Sequence, residues 1–203
     1  MKIICAGLNY RSHALEMGRA IPDQPVIFLK ADSSLLKNNK PFFIPDFSER
    51  IEYEAELVLK ICKVGRYITP AFAHRYYDEI TLGVDFTARD LQTQFSRKGL
   101  PWELSKAFDG SAPVGRFIPK EELGEVTSIG FSLIRNNDVV QRGNSSDLIF
   151  GFDALISSVS QFFTLKTGDL IFTGTPAGVG PVVRGDRLRG LIGERPVFDF
   201  AVR

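Results

Sequence analysis

The segment Arg50-Ile51-Glu52-Tyr53-Glu54-Ala55-Glu56-Leu57-Val58-Leu59 constrains this chain more than any other. Ile51, Tyr53, Ala55 and Leu57 alternate with three glutamates, the period-two pattern of a strand with one buried face. Successive side chains of a strand point to opposite faces, so Glu52, Glu54 and Glu56 share the other one. Carboxylates at that spacing repel, and near a protein interior they take up protons or recruit a cation. Two readings follow. One is a solvated acidic sheet face. The other is a ligand set for a hard divalent ion such as Mg2+ or Mn2+, which takes oxygen donors from a few carboxylates.

The rest of the 203 residues surrounds this strand with short elements. No internal repeat, low-complexity segment or Gly/Ser/Pro-rich linker divides the chain, so one domain over 1–203 is expected. Lys2 to Ala6 reads as a strand, and Ser12 to Met17 as a helical turn ended by Gly18. Pro25 to Lys30 is a second strand, Pro41 to Ser48 a loop, and the glutamate strand runs on to about Val64. Thr69 followed by Pro70 is a helix start, predicting a helix to about Glu79. Ile80 to Ala88 is strand-like. Ile129 to Arg142 reads as a hairpin turning at Asn136-Asn137-Asp138, where asparagine tolerates a left-handed backbone. Ser145 or Ser146 would cap the clearest helix, Asp147 to Phe163. The strand Asp169 to Thr173 then enters a Gly-rich loop, Gly174 to Gly180. One clear helix among many short strands predicts a β-rich, mixed α+β domain.

Charge and composition exclude several partners. The formal net charge is +1 and the basic residues are dispersed, which gives no electrostatic reason to expect nucleic acid or an anionic membrane. The apolar stretch from Leu148 to Phe163 is broken by Gly151, Asp153 and serines, so no segment reads as a bilayer span. The N-terminal MKIICAGLNY is too briefly apolar for a signal peptide. Cys5 and Cys62 stand in apolar segments without a second pair, which reads as buried thiols of a cytoplasmic protein.

Beyond the glutamates, a few residues could carry chemistry. Asp85 lies between Val84 and Phe86, and a buried carboxylate there needs a partner: a cation shared with the glutamate strand, or Arg89. His13 and Glu16 stand three apart in NYRSHALEMG. On a helical turn that spacing brings them together, so that an oriented imidazole can take a proton from water. The alternative is a surface ion pair. His74 has no such companion and reads as structural. Lys106, in the turn-like ELSKAFDGSAPVG, and Lys30, at the end of PVIFLK, read either as solvated lysines or as site groups. The stretch TGTPAGVGP, Thr173 to Pro181, lacks the Gly-Lys-Ser/Thr ending of a P-loop. Its glycines and the Thr175 hydroxyl instead allow close approach of a small anionic ligand.

GLNYRSHALEMG, PVIFLKADSSL, YEAELV, GVDFTARDLQ, SKAFDGSAPVG and FTGTPAGVGPVVRGD occur in that order. The set resembles the fumarylacetoacetate hydrolase family from about residue 5 to 190, and is most similar to its small branch of acylpyruvases and oxaloacetate decarboxylases. The resemblance implies a β-rich mixed sandwich or roll like the family's C-terminal domain, and a homodimer. It implies Glu54, Glu56 and Asp85 as ligands of Mg2+ or Mn2+, and His13, Glu16 and Lys106 as catalytic groups. Lys30, Arg89, Gln92 and Thr175 would contact the substrate, with Glu52 left as an outer-face residue or a neighbour of the ligands. The implied activity is hydrolysis of a C–C bond in acylpyruvate-type 3-oxo acids with release of pyruvate, and oxaloacetate decarboxylation beside it. The alternative is an isomerase or tautomerase of unsaturated dicarboxylic 2-oxo acids in aromatic catabolism, such as 2-hydroxyhepta-2,4-diene-1,7-dioate. A non-catalytic small-acid binder is a third reading, against which the His13–Glu16 pair argues, since binding alone needs no oriented base. Val84 stands where the family commonly has Asn, Thr87 where it often has Ser, and GLIGERPVFDFAVR is less typical. The segments Gly18 to Gln24 and Phe95 to Pro101 read as unstructured lids that set side-chain preference.

Overall fold

Fifteen short strands and five α-helices build the chain, described for residues 1–203 in a computed structural model. The N-terminal part holds β1 (Ile3–Gly7), α1 (Arg11–Glu16), β2 (Val26–Lys30), β3 (Leu35–Leu36), β4 (Ile51–Tyr53) and β5 (Ala55–Ile61). The middle holds α2 (Pro70–Ala73), β6 (Tyr77–Val84), β7 (Thr87–Ala88), α3 (Arg89–Lys98), α4 (Glu103–Lys106), β8 (Ala112–Pro113) and β9 (Ile118–Pro119). The remainder is β10 (Gly130–Arg135), β11 (Asp138–Asn144), α5 (Phe152–Phe162), β12 (Leu170–Phe172), β13 (Gly180–Pro181), β14 (Arg187–Ile192) and β15 (Arg195–Ala201). The strands form a six-stranded sheet in the order β2-β1-β12-β5-β6-β9 and a four-stranded sheet β11-β10-β14-β15. Two small sheets, β13-β4-β7 and β3-β8, complete the β-rich mixed α+β architecture. No helix is long and apolar enough to cross a membrane.

Both faces of the large sheet are covered. Leu57, Leu59, Ile80 and Leu82 join the main core with Leu133, Leu188, Phe198 and Phe200 of the four-stranded sheet. Val58 faces the other way, into a smaller cluster with Ile3, Cys5, Val114 and Phe172. This is why β5 reads as an almost continuous apolar run beyond Glu56. Gly83 pairs with Glu56 across β5 and β6. A Cβ there would lie 2.9 Å from Phe172, Val58 and the Pro113 carbonyl oxygen. Gly83→Ala is therefore expected to cost about 1–3 kcal/mol in urea unfolding. An unchanged midpoint would show that the sheet accommodates the methyl freely.

Several expectations change. The glutamate strand is two strands: β4 belongs to a small sheet, β5 to the large one, and Glu54 is the residue between them. No solvated acidic face exists, since Glu52, Glu54 and Glu56 are 3%, 5% and 2% exposed. The helix expected to run to Glu79 stops at Ala73, because Tyr77 to Glu79 pair with β5 as the start of β6. Pro70 does occupy the first helical turn. Helix α5 begins at Phe152 rather than Asp147, after a separate 3-10 turn over Ser145–Asp147. Ser145 caps nothing, because its hydroxyl accepts from Ile129 N–H and donates to the Val126 carbonyl. Helix α3 was not expected, and its last turn takes up much of the segment read as the second lid before Gly99 ends it at φ 64°. Cys5 is buried but Cys62 is half-buried, and both thiols are free. The β10–β11 hairpin turns where expected, with Asn136 at φ 59°.

Candidate active site

The change of sheets at Glu54 builds the site. Its carbonyl accepts a hydrogen bond from Asp85 N–H at 2.8 Å, so the residue before β5 and the residue after β6 are tied together. Carboxylate oxygens of Glu54, Glu56 and Asp85 then lie within 4.8 Å of one another, all three side chains buried. Burial, with Asp85 and Glu54 beside it, pushes the Glu56 carboxyl well above the usual range. Burial acts on Glu54 too, but Lys106 and Arg89 outweigh it and hold that carboxyl below the usual range. Lys30 Nζ lies 2.7 Å from Asp85 Oδ1, a fully buried ion pair. An oxygen-only, anionic, converging set of buried carboxylates fits a hard divalent cation.

Cations and donors frame the trio. Lys106 Nζ is 2.8 Å from both Glu54 Oε2 and Asp85 Oδ2. It rises from the short helix α4, where a turn was expected. Arg89 does not pair with Asp85. Its guanidinium donates to Glu52 at 2.6 Å, to Glu54, and to the Gln92 side chain one helical turn on. Glu52 is thus a neighbour of the ligands rather than an outer-face residue, and it fastens Arg89 against the site. Lys30 is fully buried beneath it, donating to the carbonyls of Phe86, Lys106 and Ser111 and to the Ser111 hydroxyl. It holds Asp85 and the α4 backbone from behind and does not line the cavity.

His13 and Glu16 meet on α1 as their spacing predicts, Nδ1 to Oε2 at 3.3 Å. The imidazole is buried, and Glu16 also accepts from Gly178 N–H at 3.0 Å. The Gly-rich loop is therefore a bracket for Glu16 and for Glu56, which accepts from Gly174 N–H at 2.7 Å. Gly174 and Gly178 need φ near 100°, and a Cβ at Gly178 would meet the Val140 carbonyl oxygen at 2.6 Å. Thr175 is buried and accepts from Gln141 Nε2 at 2.9 Å.

One cavity of about 430 Å³ joins these groups. Glu54, Glu56, Asp85, His13, Arg89, Gln92, Lys106 and Thr175 line it on one side, and Leu8, Met17, Phe28, Leu100 and Trp102 supply apolar surface. Arg19 enters from the first segment read as a lid, Ser96 and Gly99 from the second. The aromatic pair Phe28–Trp102, Arg19 and Gln141 carried no signal in the sequence, since their meeting depends on contacts between distant elements.

A β-rich α+β fold whose sheet junctions gather buried carboxylates and a buried imidazole around one cavity defines an enzyme with an acidic centre. The chain belongs to the fumarylacetoacetate hydrolase family: the model for the fumarylacetoacetate (FAA) hydrolase C-terminal domain matches residues 2–197. It is 39% identical over 187 residues to the mitochondrial oxaloacetate tautomerase of Bos taurus, covering 92% of this chain and 85% of that protein. It is 41% identical over 189 residues to the mitochondrial oxaloacetate decarboxylase of Dictyostelium discoideum, covering 93% and 87%. The structure of fumarylpyruvate hydrolase from Pseudomonas aeruginosa in complex with Mn2+ and pyruvate superposes with a TM-score of 0.93 at 36% identity, covering all of this chain and 89% of that one.

Proposed function

We propose that this enzyme hydrolyses a C–C bond of acylpyruvate-type 3-oxo acids, releasing pyruvate, and decarboxylates oxaloacetate at the same site. The observation that carries the reading is a single cavity lined by both the carboxylate trio and the buried imidazole of the His13–Glu16 pair. Glu54, Glu56 and Asp85 would hold Mg2+ or Mn2+, which when bound supplies the positive charge that favours the electron-rich form of a 2-oxo acid. The chain's own groups do the rest. Lys106, Arg89 and Gln92 bind and orient the substrate oxygens, and Thr175 donates its hydroxyl proton to one of them. A carboxylate can only accept, so Nδ1–H of His13 donates its hydrogen bond to Glu16 and Nε2 is left unprotonated as the base. His13 removes a proton from water, whose oxygen adds to the carbonyl two carbons beyond the keto group. The C3–C4 bond breaks, its electron pair stays with C3, and the products are a carboxylic acid and pyruvate in its enol form. Where C3 carries a carboxylate, the same electron flow releases CO2 without water.

The relatives named tautomerase support a second reading, in which His13 only moves a proton between C3 and the enol oxygen. Pyruvate release from acetylpyruvate and oxaloacetate, assayed side by side with Mn2+, EDTA and His13→Ala controls, separates them. Acetylpyruvate turnover that needs both the ion and His13 supports the hydrolase. Enol–keto conversion of oxaloacetate without pyruvate release would replace it by the tautomerase. The proposal includes one catalytic domain over residues 1–203 acting in the cytoplasm.

Arg19 supports substrates with a second carboxylate. Gly18, at φ 61°, ends α1, and the bonds Gly18 N–H to Leu15 and Arg19 N–H to Ala14 pin the backbone there. The Arg19 side chain lines the cavity and has no protein ion pair or hydrogen bond, which leaves it for a second carboxylate beside the oxygens that Arg89 and Lys106 bind. Arg19→Gln is expected to raise KM for oxaloacetate about tenfold, the value of one charged hydrogen bond, and to leave acetylpyruvate unchanged. Equal effects on both substrates would refute this assignment.

A further inference from the structure

We propose that Gln141 is a positioning residue that sets cation affinity and ligand affinity through two separate hydrogen bonds of one amide. The inference rests on the reading of the carboxylate trio as a cation site, but not on which reaction follows.

Gln141 lies on β11, the edge strand of the four-stranded sheet, and is 2% exposed. Its Oε1 accepts from Ala55 N–H at 2.9 Å. Its Nε2 donates to Thr175 Oγ1 at 2.9 Å and to the Pro176 carbonyl at 3.0 Å. The amide cannot be turned over, because a backbone N–H only donates and a backbone carbonyl only accepts.

The first bond acts on the trio. The peptide unit joining Glu54 to Ala55 is held at both ends, its carbonyl by Asp85 N–H at 2.8 Å and its N–H by Gln141. Ala55 begins β5 just where the chain leaves the sheet of β4, and the Gln141 side chain supplies its acceptor there. Fixing this peptide fixes the directions from which Glu54 and Glu56, on either side of Ala55, reach the cavity. The second bond acts on the ligand. Because the Thr175 oxygen accepts from Gln141, the hydroxyl proton remains for an acceptor in the cavity that Thr175 lines. Gln141 itself does not line that cavity, so it acts only through these two neighbours.

Calorimetric titration with Mn2+, followed by pyruvate on the Mn2+-loaded protein, tests this without turnover. Gln141→Met removes all three bonds at similar volume and is expected to weaken Mn2+ about 10–100-fold, the usual effect of losing a group that orients metal ligands. It should weaken pyruvate as well. Thr175→Val should weaken pyruvate and leave Mn2+ untouched, and the double variant should bind pyruvate no worse than Gln141→Met, the non-additivity of groups acting in series. Gln141→Glu keeps an acceptor for Ala55 and should retain Mn2+ affinity while losing pyruvate affinity about tenfold; it carries the test if the methionine variant does not fold. Variants that unfold earlier in urea yet bind Mn2+ and pyruvate as wild type does would reduce Gln141 to a packing residue and overturn the inference. A wild-type protein that binds no Mn2+ overturns the cation reading itself, and this inference with it.

Discussion

Glu54→Gln and Glu56→Gln are both expected to abolish Mn2+ binding, while moving the stability of the ion-free protein in opposite directions. Each removes one anionic donor of three, so the affinity loss should exceed the ~10–100-fold typical of residues that only orient ligands. Their surroundings differ. Glu54 accepts from Arg89 on one oxygen and from Lys106 on the other. Removing its charge leaves two buried cations short of a partner, at a cost of about 3 kcal/mol. Glu56 instead has burial, Asp85 and Glu54 acting against its ionised form, offset mainly by the Gly174 N–H. Its folded-state value lies above the unfolded one, so its contribution to stability is complete below the unfolded value and is lost as pH rises. Glutamine at position 56 escapes that loss, and its advantage should grow with pH. Glu54 has the opposite sign. Its depressed value gives stability above the unfolded value that disappears as pH falls, so the cost of Glu54→Gln should shrink in acid. Urea unfolding of the EDTA-treated variants reads these signs, from mildly acidic to mildly alkaline pH for Glu56 and in acid below the ordinary carboxylate value for Glu54, and Mn2+ calorimetry reads the affinity. Wild-type Mn2+ affinity in either variant would remove the trio as the cation site. Equal destabilisation by both would contradict the charge distribution.

What could be read from the sequence depended on how local the cause was. The period-two pattern located strands around Glu54, and the i, i+3 spacing of His13 and Glu16 gave a real contact. The solvated-face reading failed because a strand pattern carries no record of what covers it, and here the chain changes sheets in mid-pattern. Helix α3, RDLQTQFSRK, was invisible for a related reason. Arg89 alone among its residues is buried, so no apolar stripe marks it. Of the residues that the ordered motifs single out, His13, Glu54, Glu56, Asp85, Arg89, Gln92, Lys106 and Thr175 line the cavity, whereas Glu16 and Lys30 do not. The resemblance makes Lys30 a substrate contact, and the structure places it buried beside Asp85, outside the cavity lining. The bracket from Gly174 to Glu56 closes over 118 residues, a distance at which spacing holds no information. Gln141 was missed on the same ground: in the hairpin it is one polar residue among several, and its importance lies wholly in the partners that the other sheets bring to it.

His13→Ala is expected to slow pyruvate release from an acylpyruvate by about 10²–10⁴-fold, the usual contribution of a positioned general base. Mn2+ affinity should be unchanged, because His13 stands outside the trio and its ring nitrogen is engaged by Glu16. Hydrolysis and decarboxylation should then separate. Adding water to a carbonyl requires removal of a proton from that water, whereas loss of CO2 from oxaloacetate needs only a site that accepts electron density. The variant should therefore lose acetylpyruvate hydrolysis and keep most of its oxaloacetate decarboxylation. Glu16→Gln should give a milder loss in hydrolysis, since the amide can still accept from His13 through its oxygen but no longer offers a charge to the imidazolium that forms. The same side chain accepts from Gly178 N–H, so this variant also tests whether the Gly-rich loop holds its place without a carboxylate. Equal losses of hydrolysis and decarboxylation in His13→Ala would move His13 from water activation to the proton transfer at C3 that both reactions share. Hydrolysis at the wild-type rate would remove it from the chemistry altogether.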